Sequence, residues 1–141
     1  MALGAASLLP ACGDGSSQSD MGSCSTNATA VGNVADLAVN DAAAHPTPVG
    51  NVFICRDADG YYAVDAGCTH LGCDVALAQA GNLKAGFACP CHGATYDANG
   101  LKPTSPAPTP LKHYALCVQP SGTLLVDVTE AGVDPTVRLK T

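Results

Sequence analysis

The chain has no tryptophan, only two phenylalanines and four tyrosines, and just 13% charged residues, so any core must be assembled from small and aliphatic side chains. Positive charge is scarce as well. Lys and Arg number six in 141 residues and none precedes Arg56, giving a net charge of -6. That balance offers no basic patch and excludes nucleic acid as a partner. No apolar run approaches the roughly 20 residues that a membrane-spanning helix needs, and no stretch shows a sustained helical period. What the chain has in excess is cysteine, at eight residues. In a reducing compartment such a number would be unusual unless metal-bound, so an oxidising location outside the cytosol is expected.

The cysteines concentrate in two short blocks with the histidines. Cys68-Thr69-His70-Leu71-Gly72-Cys73 and Cys89-Pro90-Cys91-His92-Gly93-Ala94-Thr95-Tyr96 place four cysteines and two histidines within 25 consecutive positions. Cys68 and His70 are two apart and Cys89 and His92 three apart, so each block can turn one thiolate and one imidazole from a tight loop toward a common point. Two thiolates with two imidazoles suit zinc, or an iron-sulfur cluster in which two histidines replace two cysteines on one iron. Cys73 and Cys91 are left over, one per block.

On these residues the chain resembles the Rieske iron-sulfur proteins, whose pattern is C-x-H, a spacer of somewhat under twenty residues, then C-x-x-H; here 18 residues separate His70 from Cys89. The resemblance runs from about Val34 to Val128. It implies one 2Fe-2S cluster per chain, with Cys68 and Cys89 on the inner iron and His70 and His92 on the outer one. It further implies a disulfide between Cys73 and Cys91, which match the bridging pair of Rieske subunits of quinol-cytochrome c oxidoreductases. Pro103-Thr104-Ser105-Pro106-Ala107-Pro108-Thr109-Pro110 is similar to the proline loop covering the cluster in that subclass, with Ser105 where the family usually has glycine. Leu71, Gly72, Gly93, Ala94, Tyr96 and Pro106 are the expected neighbours of the cluster. In high-potential members a serine follows His-Gly and donates to a bridging sulfide, and a tyrosine two positions later donates to a ligand cysteine. Tyr96 matches, whereas Ala94 replaces the serine, so a lowered potential and a menaquinol-type donor are expected.

The implied function is electron transfer coupled to a proton through His70 and His92: an electron taken from a quinol and passed to a c-type cytochrome. The implied partners are a cytochrome b-like, quinol-oxidising membrane subunit and that cytochrome. The small subunit of a periplasmic oxidoreductase acting on arsenite is the alternative within the family, and a structural zinc module is the alternative outside it. A Rieske oxygenase is not expected, since these 141 residues leave no room for a second, mononuclear iron domain.

Around the motif the chain reads as all-β, and the resemblance makes this an antiparallel β-sandwich base with a small inserted cluster-binding subdomain at about 66–110. Strands are expected at Val34 to Val39, Val52 to Arg56, Tyr61 to Asp65, His113 to Gln119 and Thr123 to Thr129. A weaker pair is expected around Leu77 and Leu83 to Phe87. Asp57-Ala58-Asp59-Gly60 and Pro120-Ser121-Gly122 supply the hairpin turns. Cys55 and Cys117 lie in the two hairpins, as a second disulfide or as buried thiols. His45 and His113 are expected in solvent.

The Rieske domain is expected over 34–141. Residues 13–33 are small and polar and read as a flexible linker, about 25 Å in root-mean-square span over its first 20 residues. Residues 1–12 end in Leu9-Pro10-Ala11-Cys12, which resembles a lipobox, so a truncated export signal with lipidation at Cys12 is expected. Together these imply the bacterial periplasm or the outer face of the cytoplasmic membrane, with a lipid or signal anchor.

Overall fold

A computed structural model describes residues 25–141. Cys12, Cys24, the lipobox and the greater part of the expected linker lie outside the described residues.

Among the described residues the fold comprises nine strands, two short 3-10 turns and connecting loops. The base is one six-stranded antiparallel sheet of β1 (Thr29–Asn33), β9 (Thr123–Ala131), β8 (His113–Val118), β4 (Gly60–Asp65), β3 (Gly50–Asp57) and β2 (Asp41–Thr47), in that spatial order. The sheet curls until its two edges approach each other: a Cβ added at Gly32 of β1 would lie 3.2 Å from His45 Cε1 of β2. Between β4 and β8 the chain leaves the base to form a three-stranded sheet of β5 (Ala76–Leu77), β6 (Phe87–Ala88) and β7 (Thr95–Tyr96). This is the expected inserted subdomain.

The central strands are apolar on both faces because both faces are covered. Side chains alternate across a strand, and on β3 Val52 and Ile54 join one core with Tyr61, Leu116, Leu124 and Val126, inside the curled base. Phe53 and Cys55 join a second core with Tyr62, Val64, Phe87, Tyr96 and Leu111, between base and subdomain. Phe53 and Phe87 meet across that seam at 5.1 Å between ring centroids. The two cysteine-histidine loops thus stand on a packed floor rather than at the end of a free hairpin.

The β3–β4 turn forms as expected. Asp57 Oδ1 accepts the backbone N–H of Asp59 and of Gly60, an Asx turn that closes the hairpin. Gly60 is required twice over. Its φ is +141°, and a Cβ there would sit 2.4 Å from the Leu139 carbonyl, because the C-terminal segment bonds to Tyr61 alongside the turn.

Several expectations are corrected. Val34 to Val39 is not a strand; Val34–Asp36 is a 3-10 turn capped by the Asn33 side chain on Ala35 N–H. The edge strand is instead Thr29–Asn33, whose residues fall within the segment read as linker. Leu83–Ala85 is likewise a 3-10 turn, with strand only at Phe87–Ala88. Of the two readings left open for Cys55, the buried thiol holds, and it does not pair with Cys117. It is a free, fully buried thiol, pushed up by desolvation, whereas Cys117 is disulfide-bonded. Finally, His113 is not in solvent: it is 3% exposed, lies parallel to the Tyr62 ring and meets the Asn99 carbonyl through Nε2. His45 is half-buried.

Candidate metal centre

The two cysteine-histidine blocks fold into the same turn. In the first, Cys68 N–H donates to the Cys73 carbonyl at 2.7 Å and Gly72 N–H to the Cys68 carbonyl at 2.8 Å. In the second, Cys89 N–H donates to the Ala94 carbonyl at 2.7 Å and Gly93 N–H to the Cys89 carbonyl at 3.0 Å. Gly72 and Gly93, each four residues after its cysteine, have φ of +78° and +77° with open space where a Cβ would lie. Conformation alone, and no close neighbour, asks for glycine there. A disulfide joins Cys73 to Cys91 and so ties one turn to the other.

The turns present their side chains at two depths. The Cys68 and Cys89 thiols are buried, each residue 3% exposed, and share the core of Phe87, Ala94 and Tyr96. His70 is half-buried and His92 exposed, their ring centroids 4.7 Å apart and nearly perpendicular. His70 Nδ1 is buried without a hydrogen-bond partner, the one such side-chain nitrogen or oxygen among the described residues. An orphaned buried acceptor is costly unless something binds it. A metal on the inner side of the ring fits, and it would leave Nε2 for the outer side. Among the described residues no three of His, Cys, Asp or Glu gather at single-ion distances. The donor set instead divides into a buried thiol pair and an outer imidazole pair, as a two-iron group requires and a tetrahedral zinc site does not.

Hydrogen bonds at Cys68 favour its thiolate. Burial alone would raise Cys68, but Tyr96 Oη, the backbone amides of His70 and Leu71 and the Cys89 thiol together hold it below the ordinary range. Leu71 therefore serves through its amide, while its side chain is 68% exposed at the tip. Tyr96 Oη lies 3.4 Å from Cys68 Sγ, and burial and that contact raise its own pKa.

Thr69, passed over in the sequence, completes this network. Its N–H donates to Tyr96 Oη at 3.1 Å, its Oγ1 lies 3.1 Å from the same oxygen, and Oγ1 donates to the Thr109 carbonyl at 2.7 Å. It thereby fastens the proline loop to the first turn. Thr104 fastens the loop to the second: Thr95 N–H donates to Thr104 Oγ1 at 2.8 Å and Thr104 N–H to the Thr95 carbonyl at 3.0 Å. Between these ties Pro106 is half-buried and Ala107 enters the core. The signal for Thr69 was its place inside C-x-H, where only the flanking letters carry the motif.

The Rieske 2Fe-2S domain family matches residues 27–115. The chain belongs to the Rieske family, and it carries one 2Fe-2S cluster. The cytochrome b6-f complex iron-sulfur subunit of Chlorobaculum tepidum is 35% identical over 103 residues, which are 67% of this chain and 55% of that one. The subunit of the same name from Synechococcus sp. strain RCC307 is 51% identical over 55 residues, 39% of this chain and 29% of that one. This Rieske chain therefore spans about half or less of the length of these curated relatives. Among solved structures, the cyanobacterial plasma membrane Rieske protein from Synechocystis PCC 6803 aligns with a TM-score of 0.54 at 36% identity, covering 70% of this chain and 97% of that one. Naphthalene 1,2-dioxygenase aligns at 20% identity with a TM-score of 0.58 over 80% of this chain and 27% of that one, a likeness of fold alone.

Proposed function

We propose that this Rieske domain takes one electron from a quinol and passes it to a c-type cytochrome, at the outer face of a bacterial cytoplasmic membrane and beside a cytochrome b-like subunit. Cys68 and Cys89 hold the inner metal and His70 and His92 the outer one. When bound, the 2Fe-2S group supplies a one-electron centre with a potential in the range of roughly -150 to +300 mV.

The observation that carries the reading is the asymmetry of the donor set, with thiols sealed in a core and imidazoles at a surface that also bears the exposed Leu71. A site that only stores a metal has no need of an outward face. His92, exposed, and the outer edge of His70 can receive a hydrogen bond from a quinol hydroxyl and hold its proton at Nε2. The apolar Leu71 side chain suits a hydrophobic ring beside that hydroxyl. Curated relatives named as cytochrome b6-f subunits and a structural relative named as a plasma membrane Rieske protein support this assembly and location. Ala94, fully buried beside both thiols, has no hydroxyl to offer a sulfur. That favours a lower-potential donor such as a menaquinol.

Stopped-flow mixing of the oxidised holoprotein with menaquinol and ubiquinol analogues, followed by addition of a c-type cytochrome, tests the reading. Reduction by the menaquinol analogue, faster than by the ubiquinol analogue, and onward reduction of the cytochrome are expected. A holoprotein with the electron paramagnetic resonance signature of a two-iron centre that neither quinol reduces overturns it.

A further inference from the structure

The loop Asp97–Leu101 directly follows Tyr96 and is closed on itself. Asp97 Oδ1 accepts Asn99 N–H and Leu101 N–H at 2.9 and 2.8 Å, and Asp97 N–H donates to the Leu101 carbonyl at 2.8 Å. A loop so braced moves as a unit, and three parts of the base grip it at Ala98 and Asn99. From β4, Tyr62 Oη donates to the Ala98 carbonyl at 2.5 Å. From β8, His113 Nε2 lies 2.6 Å from the Asn99 carbonyl, so that nitrogen carries the proton. From the C-terminal segment, Arg138 Nη2 donates to Asn99 Oδ1.

Arg138 does more than complete the set. Its Nε donates to Asp57 Oδ2 at 2.8 Å, its Nη1 to the Pro135 and Val137 carbonyls at 2.7 and 3.0 Å, and its Cζ stands 3.8 Å over the Tyr62 ring. The side chain is 9% exposed. One planar fork therefore fixes the β3–β4 turn, the ring of Tyr62 and the loop at once, a task that a lysine's single ammonium cannot perform.

We infer that Arg138 is a positioning residue for the cluster: through Asn99 and the 97–101 loop it holds Tyr96 so that the tyrosine hydroxyl stays within reach of Cys68 Sγ. The inference rests on Cys68 as a cluster ligand and is independent of which molecule donates the electron. Tyr96 Oη has one proton and two acceptors, Cys68 Sγ at 3.4 Å and Thr69 Oγ1 at 3.1 Å. Thr69 Oγ1 spends its own proton on the Thr109 carbonyl, so it can only accept from Tyr96. A small retreat of Tyr96 hands the proton to Thr69, and the sulfur loses its donor.

Film voltammetry of the Arg138→Lys holoprotein, alone and combined with Tyr96→Phe, tests this while keeping the charge at position 138. Arg138→Lys should weaken electron uptake about two- to threefold, which is about 18 to 28 mV at 59 mV per decade. In the Tyr96→Phe background the same substitution should leave the potential unchanged. Hydrogen exchange at Asn99 and Leu101 amides, measured on the apoprotein too, should accelerate about tenfold. Asn99→Ala removes the same contact at its other end and should reproduce the pattern should Arg138→Lys fail to fold. An unchanged potential in Arg138→Lys, or an equal drop with and without the Tyr96 hydroxyl, overturns the inference. No effect of Tyr96→Phe by itself overturns it at an earlier step, the assignment of Cys68.

Discussion

At the scale of single residues, the potential is governed by the donors that reach sulfur. Position 94 is fully buried in the core that holds the Cys68 and Cys89 thiols, so a hydroxyl placed there has sulfur as its natural acceptor and would otherwise be unsatisfied at a cost of about 1 to 3 kcal/mol. Ala94→Ser should raise the reduction potential and Tyr96→Phe should lower it, each with cluster content unchanged. A hydrogen bond stabilises the reduced state more because that state carries one more negative charge. Hydrogen bonds to charged groups contribute about 1.5 to 3 kcal/mol and about 1.4 kcal/mol corresponds to 59 mV, so a differential effect of several tens up to roughly 100 mV follows. Voltammetry at fixed pH reads it. No shift in Ala94→Ser would show that position 94 does not face the cluster. Tyr96 and Ala94 were legible through the family resemblance, which gives each position after His92 its expected side chain. Thr69 and Arg138 were not: Thr69 acts through oxygens brought together from Tyr96 and Thr109, and Arg138 lies 39 residues from Asn99, a distance across which a lone sequence carries no pairing signal.

Among the elements, the two cysteine-histidine turns are alike in backbone and are joined by the Cys73–Cys91 bridge across 18 residues of chain. Neither turn belongs to a long strand. The sheet beneath them consists of two-residue strands, so the bridge and the threonine ties to the proline loop carry much of their rigidity. Cys73→Ser combined with Cys91→Ser should lower stability by about 2 to 4 kcal/mol in urea unfolding of the holoprotein and hasten cluster loss in the presence of a chelator. Equal midpoints and equal loss rates would remove the bridge from its structural role. The hairpins on either side were readable because Asp57, Asp59 and Gly60 declare a turn between β-prone runs. β2, Asp41–Thr47, was not, since Asp-Ala-Ala-Ala-His-Pro-Thr has little intrinsic strand preference; full register with β3 makes it a strand. Pro46 is tolerated because β2 is an edge. β1 was hidden for the same reason, its Thr-Ala-Val-Gly-Asn being hard to distinguish from a polar linker except by its pairing to β9.

Over the whole molecule, the acidity resides in the base. Residues 66–112 carry Lys84, Lys102 and Lys112 against Asp74 and Asp97, while the remaining described chain is strongly acidic. The two halves are joined at the seam of Tyr62, His113, Asn99 and Arg138, which buries a titratable ring. Burial is the main reason His113 lies below its ordinary pKa; the Asn99 carbonyl opposes that, Arg138 adds to it, and Asp134 and Asp97 oppose it from further off. The folded protein therefore holds the ring neutral while the unfolded chain protonates near 6.5. A depressed folded pKa contributes stability that is present above about pH 6.5 and is lost as the pH falls toward the folded value. Half-buried His45 acts in the same sense, its desolvation outweighing the pull of Asp36. His113→Gln, whose amide can still donate to Asn99, should consequently be less acid-sensitive than the parent: the gap in unfolding free energy between the two should narrow or reverse from pH 7.5 to 5.5. One ring can add at most about 1.4 kcal/mol per pH unit to the slope. Because both proteins keep His45, His70 and His92, the difference isolates position 113. Urea unfolding at the two pH values measures it, and parallel pH dependences would show that His113 titrates alike in the folded and unfolded chain.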